Sequence, residues 1–184
     1  MGIPVTASST PLVFETLPAI KVTNYSFAKI LTNLYTYARF YVHNGSLVVG
    51  VYGFKESPDE QDRISLVVGQ KNRYLLLSIS PRQASLVLAD DAATLQTQTG
   101  VQLPAPSLSP FAGTDEQGWF WGAEAILSAD VLQQAGLVLT PGAQFGAAVF
   151  YHRSNQEEFG TSFAYNPLLP LIHQPYPAFT VVSY

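Results

Sequence analysis

The feature that most constrains the fold is a succession of short apolar stretches, rich in Val, Tyr, Phe and Ile and separated by turn signals. Ala38–His43 and Ser46–Phe54 are two of them, and the dipeptide Asn44-Gly45 joins them. Both linking residues tolerate the positive φ of a type I′ turn, so the pattern predicts a two-residue β-hairpin. Because β-branched and aromatic residues fit a pleated surface, the chain is predicted to be predominantly β.

Further strands and one helix are predicted along the rest of the chain. The strands are Arg63–Gly69, Arg73–Ser80, Gln83–Ala89, Trp119–Leu127, Gln144–Arg153, Thr161–Ala164 and Ala178–Val182. The helix follows Ser128, whose hydroxyl suits an N-cap, and ends at Gly136. Residues 90–118 are predicted to be mostly irregular, with a short edge strand at Thr97–Val101. The partly helical apolar spacing of Ser26–Tyr37 gives the main alternative, a short helix there.

Many short strands with few helices indicate an all-β fold. We predict an antiparallel two-sheet β-sandwich, jelly-roll-like, with one or two short helices. The chain of 184 residues is long enough for one domain with a single core. Residues 1–19, rich in Ser, Thr and Pro, are predicted to form a lead-in segment, and residues 20–184 the sandwich domain.

Composition disfavours several classes of function and partner. Charged residues make up 12% of the chain against a typical ~25%, which excludes coiled coils and disordered tails. The net charge of −4 disfavours nucleic acid, which binds clustered Lys and Arg. No apolar run reaches the ~18–20 residues of a membrane helix, so no membrane partner is expected. Without cysteine or a signal-peptide pattern, a cytoplasmic location is slightly favoured.

The motifs of common enzymes are absent, and we predict a non-catalytic protein. There is no G-x-S-x-G elbow, no Gly-Lys phosphate loop and no G-x-G-x-x-G. The three histidines lack metal-binding spacing, so no cofactor is expected. Carboxylate clusters fall in predicted turns, where solvated charge is the simplest interpretation. For Glu56–Asp62 the alternative is calcium, which binds loop carboxylates and carbonyls, although the D-x-D-x-D-G pattern is missing.

Two predicted strands carry residues suited to ligand binding. Glu124 lies inside a strand, where a carboxylate must be paired or face a solvated cleft. Trp119 and Trp121, two residues apart, project to the opposite side of that strand. Their rings suit either the core or a platform that stacks on a sugar ring. Tyr151 and Arg153 share one face of a later strand, where Arg153 would bind a ligand oxygen or pair with a neighbouring carboxylate.

The order of features in the C-terminal third resembles that of the family 9-like carbohydrate-binding modules. The matching positions are Trp121, Glu124, Leu127-Ser128, Arg153, Tyr165, Pro167, Ile172-His173, Pro175, Phe179 and Val181. The chain departs from the family pattern where Tyr165 replaces a Trp, Ala178 a Gly and Ser128 a Pro. The resemblance covers about 65 residues and implies a non-catalytic jelly-roll sandwich, often appended to glycan-active enzymes and sometimes holding calcium.

Two functions are consistent with these observations. The first is recognition of a saccharide through an aromatic and polar patch on one sheet or its rim. The residues predicted to form that patch are Trp121, Glu124, Tyr151, Arg153 and His173. The alternative is a structural or protein-interaction sandwich that has lost sugar binding and forms a homodimer through its apolar surface.

Overall fold

The computed structural model describes residues 2–25, 36–54, 58, 60–89, 100–116, 118–152, 159–164, 166, 168–169 and 174–184. In these residues it contains fourteen strands, one α-helix and a 3-10 turn at Phe14–Thr16. The elements are β1 (Ile3–Ser8), β2 (Ile20–Lys21), β3 (Asn24–Tyr25), β4 (Thr36–His43), β5 (Ser46–Gly53), β6 (Arg63–Gln70), β7 (Arg73–Ile79), β8 (Ala84–Ala89), β9 (Val101–Leu103), β10 (Leu108–Asp115), β11 (Gly118–Leu127), α1 (Ala129–Gln134), β12 (Gln144–His152), β13 (Phe159–Thr161) and β14 (Ala178–Ser183).

Hydrogen bonds join the strands in the order β10-β11-β5-β4-β1-β14-β12-β6-β7-β8-β9. Among the described strands the pairings are antiparallel, except that β1 runs parallel to both β4 and β14. The predicted lead-in segment, residues 1–19, therefore contributes a strand to the sheet. Its sequence gives little sign of this because Val5 is the one buried side chain in β1.

Side-chain alternation explains how this chain of strands becomes two layers. Strands β4, β5 and β11 send side chains into the same buried cluster as β6, β7 and β12, so the two halves of the sheet face each other. At the centre, the ring of Phe40 lies 5.2 Å from that of Phe179 and 6.3 Å from that of Phe145. The predicted all-β sandwich is confirmed. We call β10-β11-β5-β4 the front layer and β12-β6-β7-β8-β9 the back layer.

The outer faces of the two layers are covered to different extents. On the back layer, Phe163 and Tyr176 pack over outward-facing residues such as Leu76 and Phe150 and form a second apolar cluster. On the front layer, the 3-10 turn covers one end, where Phe14 packs against Tyr41 and Val48. The other end of the front layer's outer face carries half-buried and exposed side chains.

The local predictions at the hairpin and the helix are confirmed. Asn44 and Gly45 have φ values of 50° and 80°, as a type I′ turn requires. The side chain of Ser128 accepts a hydrogen bond from the amide of Val131 at 3.3 Å and caps α1, and Gly136 follows with φ 73°. Within the described ranges, no helix is long and apolar enough to span a bilayer.

One region differs from the sequence-based expectation, and another lies largely outside the described residues. Residues 90–118, predicted to be mostly irregular, include β9 and β10. β10 is an edge strand whose side chains are exposed or half-buried, so its sequence does not alternate between apolar and polar residues. A proline such as Pro110 is tolerated in an edge strand. In the alternative helix at Ser26–Tyr37, residues 26–35 lie outside the described residues, while Thr36 and Tyr37 begin β4.

Aromatic rings from neighbouring strands fill the space above four strand glycines. In each case the ring belongs to the residue directly opposite on the neighbouring strand. The pairs are Trp121 over Gly53, Phe111 over Gly122, Phe120 over Gly113 and Tyr74 over Gly69. A Cβ at Gly122 would lie 2.5 Å from the Phe111 ring and 2.2 Å from the carbonyl oxygen of Val51. These glycines are therefore required by packing.

We expect Gly122→Ala to lower the free energy of unfolding by about 1–3 kcal/mol, because the new methyl group overpacks against Phe111 and the β5 backbone. Gly146→Ala is the matched control, since a Cβ there would meet its nearest neighbour, the Cβ of Tyr176, at 3.4 Å. Neither glycine has a positive φ. Urea unfolding followed by circular dichroism measures both, and equal effects of the two substitutions would contradict the packing assignment.

Candidate functional site

A row of aromatic side chains crosses the outer face of the front layer. The β4–β5 register pairs Tyr37 with Tyr52, the β5–β11 register pairs Tyr52 with Gly122, and the β10–β11 register pairs Gly122 with Phe111. The Tyr37 and Tyr52 rings are stacked at 4.6 Å, and the Phe111 ring lies 5.0 Å from that of Tyr52. Because Gly122 has no side chain, Phe111 lies over β11 and reaches Tyr52.

Phe54 and Phe120 extend this row toward the end of the sandwich. The ring of Phe54 lies 6.1 Å from that of Tyr37 and 5.6 Å from that of Phe120, whose ring is in turn 6.3 Å from Phe111. We call these five residues the outer aromatic cluster. Phe54 is buried and the other four are half-buried, so part of the cluster is accessible to solvent.

A cation and a carboxylate occupy the neighbouring row of the same face. Gly50 lies opposite both Arg39 of β4 and Glu124 of β11. The Nη1 of Arg39 donates to the carbonyl oxygen of Phe14 at 2.8 Å, and the guanidinium carbon lies 5.2 Å from the centre of the Tyr37 ring. This packing fixes the arginine beside the cluster. Glu124 is exposed.

The electrostatic surroundings keep the two tyrosine hydroxyls protonated. Burial, together with the negative charges of Glu15 and Glu124, raises the pKa of Tyr52 to about 12, and the positive charge of Arg39 opposes the increase. Burial also raises the pKa of Tyr37, with Arg39 opposing and Asp115 adding to the increase. At neutral pH both hydroxyls are therefore hydrogen-bond donors beside fixed charges of both signs.

The structure separates the residues that the sequence analysis grouped into one patch. Trp121, 5% exposed, and Tyr151, 2% exposed, belong to the core between the layers, so neither ring offers a stacking surface. Glu124 points away from them because it lies three residues after Trp121 on the same strand. Of the predicted patch, Glu124 is placed on an outer face. Arg153 and His173 lie outside the described residues.

The calcium interpretation of Glu56–Asp62 also falls largely outside the described residues, which there include 58 and 60–62. Asp62 is fully buried. The described part of the chain contains no group of three or more His, Asp or Glu side chains that could hold a metal ion.

Sequence reasoning missed Tyr37, Tyr52 and Phe111, but part of the signal was available. A two-residue turn at Asn44-Gly45 fixes the hairpin register and places Tyr37 opposite Tyr52. Phe111 could not be placed because β10 was not expected. Trp119 also differs from its neighbour Trp121: it is 55% exposed at the end of β11, beyond the last residue that pairs with β5.

Comparison with solved structures gives the architecture a context. A family 9 carbohydrate-binding module from Caldicellulosiruptor kristjanssonii, solved in complex with glucose, matches with a TM-score of 0.60 at 9% identity, covering 98% of this chain and 96% of that one. A presumed carbohydrate-binding protein from Bacteroides uniformis matches with a TM-score of 0.65 at 7% identity, covering 98% and 100%. The fold is family 9-like. No protein-family model matches the sequence, and no curated protein matches it significantly.

The structural comparison confirms the fold that the C-terminal resemblance implied. It extends that resemblance from about 65 residues to nearly the whole chain. At identities of 9% and 7% the likeness concerns the fold, so the chemistry of this chain has to be argued from its own side chains.

We expect Tyr52 to titrate near pH 12, well above the ordinary tyrosine value of 10.0. Because the folded pKa lies above the unfolded one, the folded state holds the proton more tightly, and stability should fall as pH rises from about 10 to about 12. Ultraviolet absorbance of tyrosinate follows the titration, and Tyr52→Phe should remove the step near pH 12 from the titration curve. An unchanged titration curve in that variant would refute the assignment.

Proposed function

We propose that the chain is a non-catalytic carbohydrate-binding module that binds a saccharide on the outer face of the front layer. The observation that carries this proposal is the side-by-side arrangement of the aromatic row Tyr37-Tyr52-Phe111 and the row holding Arg39 and Glu124. The two rows lie on adjacent lines of one sheet face, about 7 Å apart along the strands.

The chemistry of this face matches that of a sugar. A saccharide has apolar C–H surfaces bordered by hydroxyl groups. Protein sites bind such a ligand with aromatic rings and a few precisely placed polar groups. Here Phe111 and the edges of the tyrosine rings supply the apolar contact. Glu124 accepts hydrogen bonds from sugar hydroxyls, while Arg39 donates to them.

The architecture supports the same proposal. Both solved structures described above are named for carbohydrate binding, and one of them holds glucose. A binding role also needs no pair of facing carboxylates, whereas glycoside hydrolysis requires two at ~5–9.5 Å. Glu124 therefore serves here as a hydrogen-bond acceptor.

The test is a panel of soluble polysaccharides and oligosaccharides screened by affinity electrophoresis, with positive ligands measured by isothermal titration calorimetry. We expect Glu124→Gln and Tyr52→Phe each to raise the Kd of a bound saccharide by about tenfold, because each substitution removes a hydrogen bond to a charged or buried group. Asp130→Asn is the matched control, because Asp130 is an exposed carboxylate on α1, and its Kd should stay within about twofold.

Two outcomes contradict the proposal. One is the absence of binding across the panel by protein shown to be folded. The other is loss of binding in Trp119→Ala with unchanged affinity in Glu124→Gln and Tyr52→Phe, which would place the ligand at the end of the β10–β11 hairpin instead.

One observation favours the alternative function, a structural or protein-interaction domain. The Tyr37 ring is covered on its faces by Tyr52 and Arg39, and Ile126 on the same outer face of β11 is 57% exposed. An apolar surface of this kind also suits a second protein. Light scattering distinguishes the two: a stable dimer that Ile126→Glu dissociates, together with no saccharide binding, supports the alternative.

A further inference from the structure

A polar cleft of about 330 Å³ lies on the back layer, on the opposite side of the sandwich from the outer aromatic cluster. It opens where β6 begins and β7 ends. Its lining residues are Glu60, Gln61, Arg63, Ser78, Ser80, Gln83, Ala84 and Ser85. Apart from Ala84, every one of these side chains carries a hydrogen-bonding group.

Arg63 is the unusual member of this lining. Its side chain is half-buried, and its Nε is fully buried with no hydrogen-bond partner among the described residues. Burial lowers the pKa of Arg63, and among the described residues no carboxylate counteracts that effect. A guanidinium withdrawn from water without an anion beside it is an unfavourable arrangement, which a bound anion would relieve.

The charges around the cleft leave Arg63 available to a ligand. Glu60, the carboxylate among the lining residues, pairs with the guanidinium of Arg82 at the exposed rim. Asp62, although adjacent in sequence, is buried and does not line the cleft. The residue opposite Arg63 on β12 is His152, whose pKa is lowered to about 4 by burial and by the charge of Arg63. At neutral pH this histidine is therefore uncharged.

Hydroxyl groups continue the polar surface away from Arg63. Ser78 and Ser65, opposite each other on β7 and β6, have their hydroxyl oxygens 3.0 Å apart, and Ser85 lies opposite Ser78 on β8. At the β7–β8 turn, the hydroxyl of Ser80 donates to the carbonyl oxygen of Gln83 at 3.2 Å. The cleft thus places the guanidinium of Arg63 at the end of a row of small donors and acceptors.

We infer that this cleft binds a small oxyanion, a carboxylate or sulfate group, through Arg63. The guanidinium supplies charge-assisted hydrogen bonds, and the serine hydroxyls contact the remaining oxygen atoms or a polar group attached to the anion. The inference does not depend on saccharide binding at the front layer, because the two sites lie on opposite outer faces.

The binding test uses nitrogen-15 NMR of the arginine Nε–H signals at constant ionic strength. Sodium sulfate, acetate and glucuronate are the anionic probes, and glucose is the neutral control. We expect a saturable shift of the Arg63 signal with the anions and none with glucose. A tighter Kd for glucuronate than for acetate would indicate that the attached sugar ring also contacts the cleft. Equal Kd values would indicate that the carboxylate alone provides the affinity. Both results support the inference.

Three variants locate the effect. Arg63→Gln should raise the Kd for the anion by about tenfold or more, since it removes the charge-assisted hydrogen bonds. Arg73→Gln is the matched control, because Arg73 is an exposed arginine on β7 that does not line the cleft. Glu60→Gln should strengthen anion binding, because it removes a negative charge from the lining.

Stability gives a second readout that a purely structural arginine would not produce. In buffer free of oxyanions, Arg63→Met should keep or raise the Tm, because it replaces a half-buried charge by an apolar side chain of similar length. Sulfate should then raise the Tm of the wild-type protein and not that of Arg63→Met. The inference is overturned if Arg63 and Arg73 signals shift alike and without saturation, or if sulfate stabilises both proteins equally.

Discussion

The packing of aromatic rings onto glycines of the neighbouring strand is the interaction on which the two surfaces of the front layer depend. On the inner side of β11, Trp121 lies over Gly53 of β5 and fills the core. On its outer side, Phe111 of β10 lies over Gly122 and reaches Tyr52. The same strand therefore buries one ring and leaves another at the surface, because successive side chains point to opposite faces.

The proposed binding face lies on the front layer because the outer faces of the two layers are covered to different extents. The back layer buries its central outer face beneath Phe163 and Tyr176, whereas the front layer is covered at one end by Phe14. The Phe14 ring also lies over Gly50, between Arg39 and Glu124. Beside it, the half-buried rings of Tyr52 and Phe111 and the exposed Glu124 lie at the surface. Cross-strand stacking fixes the rings, and the hydrogen bond from Arg39 to the Phe14 carbonyl oxygen fixes the arginine, so both are positioned before any ligand binds.

Much of the fold follows from the sequence because its local signals agree with one another. The Asn44-Gly45 turn, the Ser128 cap and the β-rich stretches each specify one local structure, and the structure confirms them. β1 and β10 were not predicted because they contain few buried side chains. Pairing with other strands holds them in the sheet. The site was harder still: periodicity puts Glu124 opposite Trp121, but it does not tell which face is the core.

The most direct test of the central claim is a crystal structure of the protein with glucose or with the saccharide that binds most tightly. We expect electron density for the sugar across Tyr37, Tyr52 and Phe111, with a hydroxyl group within hydrogen-bonding distance of Glu124. Sugar density confined to Trp119 or to the back layer, with the outer aromatic cluster unoccupied, would contradict it.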